Sequence, residues 1–424
     1  MDSQMTRTNG HALTLGNSTL APTADKQGKP FPISAFLLTV YVFTIAAFSY
    51  QAKSVEFSTL AGYLLVGAYF AELFKYQRII IPGLMVPLIL FVLWSGLSVF
   101  WSIDTEWALL RTRTLFQLLL LSIVALNILN SRKSTRPVMY GIIFGAIWAI
   151  WGSLSSNNFD IFRQQTTKLP REGSFLVNSN IYGIHLNLAI FFLLTVFFEV
   201  RSLFIKVLLV GIIVLAATQV VFYTGSRKGL LGLLFLGFLY LSIYFLVNKH
   251  HNIELILLFL LFIVLISNFT LLLEQLPYGD RFLYIEGDTS FLTREAMIKT
   301  GLHLWAKEPI VGYGLEQYRV VSGFGMYAHN NYIELLVDGG LISFLLYYST
   351  LFLLIIQYWR RFRVGWLKYQ DTAFGIAIIL WFIIFDAATV SFSEKTYWLL
   401  FVLAINGVTS TRDDMPRSAG HVPA

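Results

Sequence analysis

Between Tyr327 and Ser343 the chain reads YAHNNYIELLVDGGLIS, with Asn330, Glu334 and Asp338 at successive four-residue steps. On a helix such steps share one stripe, while leucine, isoleucine and valine cover the rest of the surface. That stripe must face protein or water, because a carboxylate at hydrocarbon depth costs about 2.5–3.5 kcal/mol on insertion scales. At about 1.5 Å rise per residue, Asp338 lies roughly 13 Å along the helix from His329, close to mid-depth of a hydrocarbon core about 30 Å thick. An acid placed there is a functional-site candidate. His329, at the mouth, can take up a proton near neutral pH, so the pattern suits acid–base chemistry. The plainer account makes His329 and Asn330 polar residues at a helix start, with Asn330 or Asn331 as the cap.

A second group of residues is basic. Thr224 to Gly229 reads TGSRKG and puts Arg227 and Lys228 at the start of an apolar run. One reading is a pair of side chains snorkelling to headgroups. The other is an anion clamp, in which a guanidinium stands beside a helix start and Gly225 and Gly229 let the backbone approach a phosphate. Arg294, in LTREAM, would add a second guanidinium, and a pyrophosphate carries more charge than one arginine neutralises. Arg171, Arg281 and Arg319 are weaker candidates on the same argument.

Other polar residues read more plainly. Asp104 and Glu106 form an Asp-x-Glu pair, but Trp101 and Trp107 flank it, and an aromatic belt with a short loop explains all four. Asn178, Asn180 and Gly183 mark a polar entry into an apolar run, with capping as the plain account. Gly339 and Gly340 in mid-helix each cost about 1 kcal/mol relative to alanine, which points to close packing or a kink. His185 and His303 fall inside helices, and His250 and His251 in a short link. No zinc-protease, P-loop, nucleophile-elbow or dinucleotide motif appears.

The elements that position these residues follow from composition. Of 424 residues 56% are hydrophobic and 13% charged, so the chain is expected to be an all-α integral membrane protein. The net charge of +7 sits mainly in the short links, which implies membrane orientation and not a nucleic-acid partner. Without cysteine there are no disulfides or thiolate nucleophiles. Twelve apolar runs follow a polar tail at 1–30, nine of them within 31–273 and three within 331–408, with a second tail at 409–424. A large loop at 274–330 separates spans 9 and 10. Within it Leu292 to Ala306 is expected to form an amphipathic helix over the bundle, closed by a turn in KEPIVGYG. Lys75/Arg78, Arg132/Lys133/Arg136, Arg201/Lys206 and Arg360/Arg361/Arg363/Lys368 share one side, so those loops and both termini are expected to be cytoplasmic. The large loop then faces outward, as does the loop Ser155–Val177.

At TGSRKG, LTREAMIKTGLHLWAKEPIVGYG and AHNNYIELLVDGG the chain resembles the bacterial O-antigen ligase and polymerase superfamily, over roughly Pro170 to Leu346. The resemblance implies a metal-independent transferase in the bacterial inner membrane, with a helical periplasmic loop and no cofactor. Its donor would be a polyprenyl-diphosphate-linked glycan and its acceptor a glycan or lipid-glycan, with membrane lipids around it. By the same resemblance His329, followed by Asn330, activates the acceptor hydroxyl, and Arg227 and Arg294 hold the diphosphate. Lys228, Asn330, Glu334, Asp338 and Arg171 are expected to bind substrate. The ligase pattern continues to a further glycine where this chain has Ser343, so the resemblance is to the superfamily more than to its ligases; a repeat-unit polymerase is expected, with a ligase that passes glycan to lipid A core or protein as the alternative that the motifs do not separate. A transporter or flippase of lipid-linked oligosaccharide is the alternative of a different class. An unperturbed histidine titrates near 6.5, so transfer is expected to rise with pH through about that value.

Overall fold

The computed structural model describes residues 32–48, 55–76, 79–129, 132–155, 179–224, 226–247, 252–275, 289–367 and 369–409. Every regular element among them is helical, and no strand occurs among the described residues. The first helices are α1 (Pro32–Phe48), α2 (Val55–Tyr76), α3 (Val86–Leu97), α4 (Thr105–Ile128) and α5 (Arg132–Ser155). Next come α6 (Ser179–Glu199), α7 (Leu203–Thr218), α8 (Arg227–Val247), α9 (Asn252–Ser267) and the short α10 (Phe269–Glu274). The large loop carries α11 (Thr289–Lys307) and the single turn α12 (Tyr318–Val321), before α13 (Asn331–Arg363), α14 (Tyr369–Asp386) and α15 (Lys395–Thr409). Both tails, Arg171, Asn178, Gly225, Arg281 and the histidines at 250 and 251 lie outside the described residues.

Each of the twelve apolar runs falls on a helix, and seven helical stretches are long and apolar enough to cross a membrane. The longest is Asn331–Arg363, at 33 residues. By contrast α1, α9 and α15 have 17, 16 and 15 residues, short of the about 20 that a bilayer crossing takes. The expected loop helix over Leu292–Ala306 is α11, which begins three residues earlier, at Thr289.

Small residues and aromatic rings set the packing. On α5, a Cβ at Gly145 would lie 2.5 Å from the Cβ of Ala46 and 2.9 Å from the carbonyl of Phe43, so glycine admits α1 at backbone distance. The backbones of α6 and α8 likewise touch at Gly183 and Gly229, where a Cβ on Gly183 would lie 3.1 Å from the Cα of Gly229. Gly229 therefore serves this crossing. Phe191 of α6 stacks on Phe374 of α14 at 5.1 Å and meets Tyr240 of α8 edge-on at 5.0 Å, tying three helices into the core.

The feature that fixes the end of the bundle bearing the large loop is a break in α13. Gly340 has φ 64° and ψ −165°, which interrupts the helical ladder and frees backbone groups on both sides of it. The segment 309–314 takes them up. Tyr313 N–H donates to the Val337 carbonyl at 2.9 Å and Gly314 N–H to that of Asp338 at 2.7 Å, while Leu341 N–H donates to Pro309 at 2.9 Å. Trp94 of α3 covers the remaining carbonyl, donating from Nε1 to Gly339 at 3.1 Å. A Cβ on Gly312 would lie 2.5 Å from the Val337 carbonyl oxygen, and one on Gly340 would strike Ile310. Both glycines are therefore set by close backbone approach as well as by positive φ.

Gly340→Ala is expected to destabilise the protein by about 1–3 kcal/mol from backbone strain alone, with the Ile310 clash adding to it. Gly211→Ala, at a site with open space around it, is expected to be neutral. Thermal unfolding of the two variants in detergent measures the contrast, and equal midpoints would contradict this account of the break.

Candidate functional site

One end of the bundle gathers the starts of α4, α8, α13 and α15 with the end of α14, and His329 lies among them. Its backbone is left-handed, with φ 56°, a conformation uncommon outside glycine and enriched where geometry is imposed. The flanking residues impose it. Ala328 N–H donates to Glu334 Oε2 at 2.5 Å. On the other side Asn330 caps α13 by accepting from Ile333 N–H at 3.1 Å, and its Nδ2 donates to the Ala387 carbonyl at 3.0 Å. The imidazole is half-buried beside the ring of Tyr327, at 4.3 Å between centroids.

Two cations act on that imidazole. Burial, then the positive charges of Lys228 and Arg294, push the His329 pKa down to about 4. The expected titration near 6.5 is thereby corrected: the ring is neutral, and able to accept a proton, throughout the physiological range. Lys228 sits in the first turn of α8 and donates from Nζ to the Ala388 carbonyl and, at 3.3 Å, to Thr389 Oγ1. Arg294 comes from α11, half-buried. Arg227 is the first residue of α8, whose start is capped by Ser226 Oγ accepting from Gly229 N–H at 3.0 Å. Ser226 Oγ in turn donates to Asn180 Oδ1 at 2.6 Å, so the polar entry to α6 orients the TGSRKG turn.

The carboxylates of the α13 stripe are turned to the backbone. Asp338 is buried, and its two oxygens accept from Glu316 N–H and Tyr318 N–H, each at 2.8 Å. Glu316 is itself left-handed at φ 64° and buried, with its carboxylate between Arg111 of α4 and Arg319, the latter at 2.8 Å. Arg319 stacks over Trp107 at 4.3 Å, so this base belongs to the scaffold. Gln317 pairs with the backbone of Asp104 in both directions, at 2.8 and 3.0 Å. Asp104 caps α4 through Trp107 N–H at 3.1 Å, which accounts for it without a metal.

Sequence reasoning overlooked the wall made by the turn between α14 and α15. Asn331 donates to Asp386 Oδ2 at 3.1 Å and to Tyr348 Oη at 3.0 Å, and its Oδ1 accepts from Ser391 N–H and Phe392 N–H. Asp386 was detectable as a lone acid at the end of the apolar run IILWFIIFD. Arg111 and Glu316 carried no local signal, since the pair joins positions 205 residues apart. Lys228, Arg294, Asn330 and Glu334 are thus gathered around His329, whereas Asp338 works one turn deeper. His185 lies in α6, bonded to Thr396 at 2.8 Å, and His303 is exposed on α11.

A family model described as O-Antigen ligase matches residues 211–348. The matched segment runs from α7 through TGSRKG and the large loop to the middle of α13, and it supports the resemblance to the O-antigen ligase and polymerase superfamily. Members of that family are glycosyltransferase-like enzymes that act on lipid-linked glycans at a membrane. No curated protein matches the chain.

The electrostatics give a direct check. In the ligand-free protein the His329 imidazole is expected to stay neutral down to about pH 4, and Arg294→Gln, by removing one of the two charges, should move its titration upward. NMR of protein carrying ring-labelled histidine measures both, and a wild-type midpoint near 6.5 would contradict the assigned environment.

Proposed function

We propose that this protein is a repeat-unit polymerase for a bacterial surface polysaccharide, transferring glycan from a polyprenyl diphosphate to a sugar hydroxyl of the acceptor. The observation that carries the reading is a neutral imidazole held beside two cations at the entry of a membrane helix. Neither feature alone would suggest group transfer. Together they supply what displacement of a sugar from a diphosphate requires, a proton acceptor and positive charge for the leaving group.

In the reaction the acceptor hydroxyl oxygen forms a bond to the anomeric carbon of the donor glycan. The bond from that carbon to the diphosphate oxygen breaks, and the electron pair leaves with the polyprenyl diphosphate. The hydroxyl proton passes to the free nitrogen of His329 and from there to water. Arg227 and Arg294 hold the diphosphate, with Lys228 and, from the outward loop, Arg171 adding charge. A guanidinium suits this task because its fork reaches two phosphate oxygens at once. Diphosphate bound there would offset the cations that depress His329, making the imidazole a stronger base in the loaded enzyme than in the empty one. Asn330, Glu334 and Asp338 position the base and the acceptor side of the cavity. No metal is needed on this reading, since Glu334 and Asp338 already accept from backbone amides.

The orientation we propose puts His329 on the outer face of the inner membrane, with both termini in the cytoplasm. Arg136, at the start of α5, pairs with Glu199 at the end of α6 at 2.9 Å, at the opposite end of the bundle from the site. Arg360, Arg361 and Arg363 end α13 there as well, so the basic loops gather on the side expected to be cytoplasmic.

A ligase that passes glycan to lipid A core or protein is the second reading, favoured by the printed description of the matching family. Both readings share the donor half-site. Incubation of purified protein with lipid-linked repeat units separates them: the polymerase yields longer lipid-linked glycans by mass, whereas glycan appearing only on an added lipid-glycan or protein would establish the ligase. A flippase is disfavoured because the intramembrane acids are engaged with backbone amides. It would move lipid-linked substrate across sealed vesicles with no change in glycan length.

His329→Ala is expected to abolish transfer while donor binding stays near normal, and Arg227→Lys to lose most activity at normal membrane insertion. Donor binding and turnover measured on the same purified variants check this. Turnover retained by folded His329→Ala would remove the base role from this residue.

A further inference from the structure

The ring beside His329 is a large side chain that the fold leaves partly uncovered. Tyr327 is 39% exposed, and its neighbour Met326 is 46% exposed. The chain around them is built as a projecting turn. Gly323 and Gly325 have φ of 78° and 69°, and a Cβ on either would meet nothing within 4 Å. These two glycines therefore serve backbone direction alone, in contrast to Gly312 and Gly340. Phe324 between them packs into the small core formed by Met297, Leu304, Tyr318 and Ile333, which anchors the turn to the large loop. Beyond that anchor the chain turns Tyr327 outward and then enters the left-handed residue His329.

We infer that Tyr327 is a stacking platform for the acceptor sugar, and that it selects acceptors by the face they present to His329. The inference rests on the transferase reading above and names a recognition residue within it. Three observations carry it. The rings of Tyr327 and His329 lie 4.3 Å apart at 58°, so a sugar laid against the exposed part of the phenol has its rim hydroxyls beside the imidazole. A pyranose carries an apolar C–H face, and a tyrosine offers an apolar face with a polar tip at low cost in conformational entropy. Burial and the carboxylates of Glu394 and Glu334 raise the Tyr327 pKa, so the tip remains a neutral hydroxyl able to donate and accept. The cations lie on the other helices, α8 and α11. Arg294 acts on the phenol as well as on the imidazole, so a sugar on this platform lies within reach of both the base and one of the cations.

The test is steady-state transfer with purified lipid-linked repeat unit as acceptor, in wild type and in Tyr327→Phe, Tyr327→Trp, Tyr327→Leu and Tyr327→Gln. The aromatic variants are expected to keep the acceptor KM within about threefold, whereas the leucine and glutamine variants should raise it roughly 3- to 10-fold, the worth of one aromatic contact. Donor KM and kcat should change little. If the leucine and glutamine variants instead lower kcat and move the His329 titration at constant acceptor KM, Tyr327 only buttresses the histidine and the proposal fails. Unchanged kinetics in all four variants would also overturn it. Equilibrium binding of the free repeat-unit oligosaccharide to wild type and Tyr327→Leu reads the platform without turnover. Weaker binding to the variant in a protein that transfers nothing would sink the transferase reading and keep the platform, and equal binding would sink the platform itself.

Discussion

The site depends on the break at Gly340. An unbroken α13 would satisfy its own carbonyls and leave the loop after α11 to find partners in water. With the ladder interrupted, the carbonyls of Val337 and Asp338 and the amide of Leu341 become the docking points for Pro309, Tyr313 and Gly314. The Asp338 carboxylate extends the same join by accepting from Glu316 and Tyr318. A buried acid whose oxygens meet oriented amides keeps its hydrogen bonds in a medium where an unpaired group would cost several kcal/mol. That join holds the loop against the same helix whose first turn follows His329. Precision at the histidine thus originates in a polar defect within the apolar helix.

Electrostatics then assign the parts. Burial depresses His329 most, and the positive charges of Lys228 and Arg294 add to it, more strongly than they could across water. The pair that adds to the effect of burial in the empty site is poised to bind an anion, and a bound anion would cancel the pair's share of the effect on the ring. The base is thereby coupled to occupancy of the anion site through charge alone, with no moving part required.

Much of this was legible in the sequence. Apolar runs gave the helices because a bilayer allows no other open-ended backbone structure. The i,i+4 stripe, the glycine pair and the KEPIVGYG turn located the join, although as separate signals: that Gly312 and Gly340 face one another appears only when residues nearly thirty positions apart are brought together. The closeness of Gly229 to Gly183 was not legible, since spacing cannot tell a ligand from a neighbouring helix. The histidine pKa was misjudged for a related reason, because burial and Lys228 belong to the fold and not to the local chain. Asp386 was within reach as an acid ending an apolar run, while the Arg111 and Glu316 pair offered nothing to find.

The family match ends at residue 348, yet one wall of the site comes from residues 386–392. Most of the bonds that cross this boundary end on backbone atoms. Asn330 reaches the Ala387 carbonyl, Lys228 the Ala388 carbonyl, and Asn331 accepts from the amides of Ser391 and Phe392. Backbone groups offer the same donors and acceptors whatever side chains they carry, except at proline. The matched segment therefore holds its partner turn partly through groups that any sequence offers, while Asp386 through Asn331 and Tyr348, Thr389 through Lys228 and Ser391 through Tyr347 are held by their side chains.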